Sequence, residues 1–362
     1  MSRRGNTRNR PNTKSFGSKI VERINFFDLD ILLYMRIHIH IGCYKTGTTA
    51  IQSHLSRNRD ALESCGWLYP LAGSQNGHAH HLIPFALQKP QSDGGKGDVE
   101  SILESIVDEA STRNKDNVVI SSEVFFSLTE NHIRRFSKIL SGHDVRIICY
   151  LRRQDEFLHS FYMQCIKHPV MRLSEGPEQH DGFNEVVSIG RYDEIVGWWA
   201  NAFGDNSMVV ETYDKTSQKN GVIADFLEKL DLNIEPPDSG EARVNATIRT
   251  ELIEYLRVAN SLGVSSDQNQ DLLGNLNRLS NKCGHHFTNY KYLSPQECKK
   301  VRDLYDDINE AVRAKWFTHR ERLFDVDHEV ESGAVSQKPE LRTETIARIS
   351  AWLWLSSQSN EN

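Results

Sequence analysis

A strand that runs directly into a glycine-framed loop is the feature that most restricts the fold of this chain. Residues 36–42 (RIHIHIG) alternate in hydrophobicity, and residues 48–64 have the apolar spacing of a helix. Between them, Gly42 and Gly47 enclose the letters CYKT. Because such a junction presents successive backbone N–H groups and a helix N-terminus, it predicts an anion-binding loop in an α/β domain.

The loop has the GxxxxG frame of a Walker A motif, but its lysine is displaced. Thr48 follows the second glycine, where lysine is usual, and Lys45 lies inside the loop. Thr48 and Thr49 add hydroxyl donors, and Lys45 adds a compact positive charge. These residue types predict a site for a phosphate-like anion.

The remaining pattern alternates strands with helices. Predicted strands are 117–121, 145–151 and 208–213; predicted helices are 98–113, 130–140, 154–167, 192–203 and 221–230; residues 71–96 are predicted to form a long loop. This order indicates an α/β fold, a P-loop-like doubly wound parallel sheet flanked by helices.

After about Pro236 the pattern is helical only. Helices are predicted over 247–261, 266–281, 294–316 and 340–357. The predicted organisation is therefore an extension (1–34), a P-loop-like α/β domain (35–236) and a mainly helical C-terminal part packed on the same domain (237–362).

Composition restricts the class of protein and its location. The net charge of -6 gives no support for a nucleic-acid partner. The first 19 residues carry six basic side chains and no acid, which predicts a disordered tail, with Met35 as a candidate start of the folded chain.

No apolar run approaches the length of a membrane span. The six cysteines form no CxxC pair, which favours free thiols, and we expect a cytoplasmic protein.

A second anion site is predicted at the end of strand 145–151. Arg152 and Arg153 follow that strand, and Ser160 lies two turns into the next helix. Ligands bind at the carboxyl ends of strands in open α/β sheets, and arginine binds phosphate through charge-assisted hydrogen bonds. Two separated anion sites favour a nucleotide phosphorylated at both ends.

Together the two motifs resemble those of sulfotransferases that use 3'-phosphoadenosine 5'-phosphosulfate (PAPS), especially the bacterial and carbohydrate branches, whose loop reads KTGTT. The resemblance implies that the 5'-phosphosulfate is bound by Lys45, Thr46, Gly47, Thr48 and Thr49. It implies that Arg152 and Ser160 bind the 3'-phosphate, with Tyr162 completing the pattern. The usual Asn-Pro after the arginine is replaced here by Arg153-Gln154, so we expect a different local turn.

The resemblance implies sulfuryl transfer from PAPS to an acceptor hydroxyl or amine, with Lys45 neutralising the bridging oxygen and adenosine 3',5'-bisphosphate as product. A carbohydrate or glycolipid acceptor is favoured, and no metal is expected. The reaction needs a base. The candidates are Glu123, which a strand end positions, and the loop histidines His78, His80 and His81; Glu123 is favoured slightly.

Two alternatives stay open. A P-loop kinase would place lysine at position 48 and a magnesium-binding aspartate at another strand end, whereas the strand ends here read SSE at 121–123 and LRR at 151–153. A catalytically inactive module that binds PAPS or its product would keep both anion sites without turnover.

Overall fold

The computed structural model describes residues 34–89, 98–176, 188–214, 221–232, 234, 248–325 and 341–358. Five parallel strands form one sheet in the order β2-β3-β1-β4-β5, flanked by helices, which confirms the predicted α/β class. The strands are β1 (Arg36–Gly42), β2 (Trp67–Leu68), β3 (Asn117–Ser121), β4 (Asp144–Leu151) and β5 (Met208–Thr212). In chain order the helices are α1 (Thr48–Arg57), α2 (Arg59–Ser64), α3 (Leu82–Gln88), α4 (Asp98–Thr112), α5 (Glu130–Ile139), α6 (Gln154–Lys167), α7 (Tyr192–Phe203), α8 (Val222–Lys229), α9 (Thr250–Asn260), α10 (Ser266–Cys283), α11 (Pro295–Trp316) and α12 (Thr343–Gln358).

Both faces of the central strand β1 are buried. Its isoleucines face a core shared with α3, α4, α5 and α7, and its histidines face a second core shared with α1, α2 and α8. His40 lies fully buried, where its Nδ1 is 2.8 Å from the Ser121 hydroxyl oxygen. Burial lowers the pKa of His40 to about 3. Both histidines of β1 are therefore neutral core residues of a doubly wound sheet at physiological pH.

The C-terminal helices pack on the same body in two ways. Helix α11 contributes Val301, Tyr305 and Val312 to the core on the isoleucine face of the sheet. Helices α9, α10 and α12 instead form a separate cluster, which we call the C-terminal cluster, together with the last two turns of α6. The predicted boundary at 236/237 lies outside the described residues, as does the predicted extension except for Tyr34, so both stay predictions.

Two local predictions were wrong, and one short strand was missed. The helix predicted over 48–64 is broken at Asn58, whose Nδ2 donates to the His54 carbonyl at 2.8 Å and competes with the helical backbone pattern. The loop predicted over 71–96 contains α3. The two-residue strand β2 was missed because so short a segment shows no alternation.

In the part of the chain that the structure describes, no helix combines the length and the apolar content needed to cross a bilayer.

We predict that Trp199→Ala costs about 3–5 kcal/mol of unfolding free energy, because Trp199 is fully buried beneath the sheet and stacks on Phe203. Its neighbour Trp198 is only half-buried, so Trp198→Ala is the matched control and should cost clearly less. Urea denaturation of both variants measures the difference. Equal losses would contradict the packing described for α7.

Candidate functional site

The strand order opens a crevice between β1 and β4. The chain leaves β1 toward β2 on one side of the sheet, and it leaves β4 toward β5 on the other side. Adjacent strands whose connections diverge in this way form a topological switch point, where open α/β sheets bind ligands. The glycine loop 42–47 follows β1 and Arg152 follows β4, so the structure brings the two predicted anion sites together at this crevice.

The loop conformation depends on its two glycines. Gly42 and Gly47 have φ of 91° and 79°, a region that side chains disfavour. A Cβ at Gly47 would lie 2.8 Å from Cγ1 of Val222, and one at Gly42 would lie 3.1 Å from Cα of Glu123. Lys45 also has positive φ, 63°, which for a non-glycine residue is frequent at functional sites. The backbone is therefore held tightly against its neighbours.

The start of α1 is suited to an anion. Among the described residues no side chain caps this helix, and its first turn reads Thr-Thr-Ala, with Thr48 buried and Thr49 exposed. The Thr46 hydroxyl donates to the Cys43 carbonyl at 2.6 Å, so it closes the loop. Thr46 would consequently bind a ligand through its backbone, whereas Thr49 is exposed and the first N–H groups of α1 have no side-chain cap.

Lys45 lies half-buried in the centre of the site. Its Nζ donates to Oε1 of Gln164 on α6 at 3.0 Å. Burial, and next the charge of Arg152, lower the pKa of Lys45, while the carboxylate of Glu123 raises it. The ammonium group of Lys45 therefore lies close to two other charged side chains, Arg152 and Glu123.

The side chains of the two arginines after β4 have different partners. Arg152 donates from Nη1 to the Lys45 carbonyl at 2.8 Å, and its guanidinium lies 5.5 Å from the centre of the Tyr213 ring. Arg153 instead binds the buried carboxylate of Asp155 at 2.7 Å, which Arg302 also contacts at 3.0 Å. Arg152 thus lies against the glycine loop, whereas Arg153 faces Asp155, through which Arg302 links α11 to α6.

Helix α6 passes over the loop. Ser160, Gln164 and Lys167 are spaced by four and three residues, so they share one face of this helix. Because Gln164 contacts Lys45, that face is the one turned toward the loop. Tyr162 lies instead in the C-terminal cluster, where its hydroxyl donates to the Glu175 carbonyl at 2.8 Å.

Gln164 and Lys167 lie outside the two sequence motifs. The charge of Lys45 and burial together lower the pKa of Lys167 to about 8, with burial the larger cause. A signal was present, since the 160-164-167 spacing marks one helical face that begins with a predicted ligand.

The favoured base, Glu123, begins a short 3-10 turn directly after β3. Its Oε2 accepts a hydrogen bond from Nε2 of Gln52 on α1 at 2.8 Å, and its charge acts on Lys45. Glu123 is half-buried, and its Cα lies against Gly42 at the start of the loop.

The three loop histidines have different environments. His81 is half-buried, with Nδ1 2.8 Å from the hydroxyl oxygen of Ser122 beside Glu123. His80 is fully buried, and its ring nitrogens contact the Pro70 carbonyl at 3.0 Å and the Ser121 backbone N–H at 3.2 Å. His78 is exposed. The structure therefore brings His81 near Glu123, whereas both nitrogens of His80 have structural partners.

Comparisons with known proteins give limited information. No family model matches the chain. It is 27% identical over 218 residues to an uncharacterized protein of Archaeoglobus fulgidus, covering 59% of this chain and 57% of that protein, so it spans little more than half of that relative. A solved structure of a sulfotransferase from Alicyclobacillus acidocaldarius matches 62% of this chain and 92% of that one, with 16% identity and a TM-score of 0.34. Neither similarity identifies a ligand or a reaction for this chain.

We predict that His80 makes the fold sensitive to acid. Burial lowers its pKa from 6.5 to about 4, so below pH 6.5 the unfolded chain takes up a proton that the folded chain does not. The resulting loss of unfolding free energy develops between pH 6.5 and about 4 and amounts to about 2 kcal/mol at pH 5.

The His80→Gln variant keeps a hydrogen-bond donor toward the Pro70 carbonyl and removes the titratable imidazole. Urea denaturation at pH 7 and pH 5 should show a smaller pH dependence for the variant by about that amount. The exposed His319, changed to Gln, is the control. An unchanged pH dependence in His80→Gln would contradict the assignment.

Proposed function

We propose that this protein is a PAPS-dependent sulfotransferase that transfers a sulfuryl group to an acceptor hydroxyl or amine. The observation that carries the proposal is the 2.8 Å hydrogen bond from Nη1 of Arg152 to the Lys45 carbonyl. It joins the anion-binding loop after β1 to the arginine after β4, so a single ligand can reach both.

The positions of the cations favour a nucleotide with two separated anionic groups. One group would lie on the loop, against Lys45 and the start of α1. The other would lie between Arg152 and Ser160, which is half-buried about one helical turn from Gln164. A nucleoside triphosphate has contiguous phosphates and needs no second site, which makes a P-loop kinase the weaker alternative.

The side chains around the loop suit transfer chemistry. Glu123 or His81 would take the proton of the acceptor hydroxyl as its oxygen bonds to sulfur and the bond from sulfur to the bridging oxygen breaks. Lys45 would stabilise the negative charge that develops on that oxygen, which leaves with adenosine 3',5'-bisphosphate. Since an ammonium group supplies this charge, the proposal requires no metal.

A carbohydrate or glycolipid acceptor is supported by the surface beside His81. Leu82 and Phe85 on α3 are 43% and 44% exposed, and the Phe85 ring lies 6.1 Å from that of His81. An exposed aromatic ring beside polar groups offers a platform for a sugar ring or an apolar aglycone.

We predict that adenosine 3',5'-bisphosphate binds without metal and that Arg152→Ala raises its Kd more than about tenfold, which is about 1.4 kcal/mol. Arg153→Ala is the matched control, because Arg153 faces Asp155 and should leave the Kd nearly unchanged while lowering stability. Isothermal titration of both variants, with ATP and magnesium titrated in parallel, measures this. Binding of ATP with magnesium but not of the bisphosphate would establish the kinase alternative.

We further predict that Glu123→Gln lowers kcat by about 10²–10⁴-fold, with smaller losses for His81→Gln. Labelled PAPS, offered with a panel of sugar, glycolipid and phenol hydroxyls, identifies an acceptor for this measurement. Glu130→Gln, at the start of α5 and paired with Arg134, is the control. A larger loss in His81→Gln would transfer the role of base to that histidine, and bisphosphate binding without any transfer would indicate an inactive binding module.

A further inference from the structure

We propose that Lys167 is a second cation for the sulfuryl end of the donor, so that the site binds PAPS more tightly than adenosine 3',5'-bisphosphate. The proposal rests on the proposed function, and it concerns a residue that the two sequence motifs do not include.

The spacing on α6 brings Lys167 to the site. Gln164 contacts the Nζ of Lys45 at 3.0 Å, and Lys167 follows three residues later on the same helical face. One helical step of three residues advances about 4.5 Å along the axis. The side chain of Lys167, about 6 Å long when extended, can therefore reach toward the ammonium of Lys45, whose charge acts on it.

The order of the groups along α6 assigns Lys167 to one end of the ligand. Arg152 precedes the helix, and Ser160, Gln164 and Lys167 follow in turn. If Arg152 and Ser160 bind the 3'-phosphate and Lys45 binds the 5'-phosphate, the next position along this line is the sulfuryl group. Lys167 thus lies on the far side of Lys45 from the nucleoside.

Electrostatics support an anion between the two lysines. Among the described residues, burial and the charge of Lys45 are the influences on the pKa of Lys167, and both lower it. Two ammonium groups that repel each other in a half-buried space are both stabilised when an anion binds between them. The amide of Gln164, which contacts Lys45, can donate to the same anion once Lys45 turns to the ligand.

The backbone around Lys167 is fixed by the C-terminal helices. Nδ2 of Asn260 donates to the Ile166 carbonyl at 3.0 Å, and Nε2 of Gln270 donates to the Lys167 carbonyl at 3.2 Å. The end of α6 is therefore anchored on α9 and α10, and Lys167 projects from a positioned helix end.

The test compares two nucleotides on two proteins, without acceptor. For the wild type and for Lys167→Gln, calorimetric titration gives the Kd of PAPS and of adenosine 3',5'-bisphosphate. We expect Lys167→Gln to raise the Kd of PAPS at least tenfold and to change the Kd of the bisphosphate less than threefold. Lys299→Gln on α11, a solvent-exposed partner of Asp303, is the control.

A proton readout separates direct binding from a structural effect. Because an anion raises the pKa of Lys167, titrations at pH 8 in buffers of different ionisation enthalpy should show uptake of up to about half a proton with PAPS. Lys167→Gln should remove that uptake, and Lys167→Arg should keep the preference for PAPS.

Two results would overturn the inference. If Lys167→Gln weakened the binding of both nucleotides equally, Lys167 would only add to the positive potential of the site. Unchanged affinities of Lys167→Gln for both nucleotides would exclude a contact between Lys167 and the sulfuryl group. Failure of the wild type to bind the bisphosphate at all would instead refute the proposed function itself.

Discussion

The hydrogen bond from Arg152 to the carbonyl of Lys45 is the interaction on which the site depends. It connects the ends of two adjacent strands, and it forms because Lys45 adopts a left-handed backbone conformation between two glycines. That conformation directs the carbonyl toward β4 and lets the ammonium group reach α6. The loop, the arginine and the helix are consequently fixed relative to one another before any ligand arrives, and such preorganisation reduces the cost of binding.

The site concentrates positive charge in a space that is only partly open to water. Lys45, Lys167 and Arg152 lie near one another, while Glu123 acts on Lys45 and Glu156 pairs with Arg152 at 3.4 Å. Holding cations together in this way costs folding free energy, which the large cores on both faces of the sheet must offset. A polyanionic ligand removes the repulsion, so it is favoured over a neutral or singly charged molecule of the same shape.

Sequence reasoning located most of the fold, because β1 and β4 combine strong apolar patterns with polar residues at their ends. It failed for residues whose position in the site depends on contacts between segments that are distant in the sequence. Neither Gln164 nor Lys167 can be assigned to the site until the orientation of α6 over the loop is known. His80 and His81 are neighbours that look alike in the sequence. His80 is buried between β3 and the Pro70 carbonyl, whereas His81 faces the crevice. This difference depends on tertiary packing. The roles of the predicted phosphate ligands stay predictions.

Helix α6 is shared between two cores. Its first turns pack on the core of the sheet, and its last turns belong to the C-terminal cluster. A ligand held by this helix is thus thermodynamically linked to the local stability of α9 and α10, and the linkage acts in both directions. A ligand bound in the crevice would slow hydrogen exchange in α9 and α10, and loosening those helices would weaken its binding. In that case α9 and α10 would influence how long the ligand stays bound.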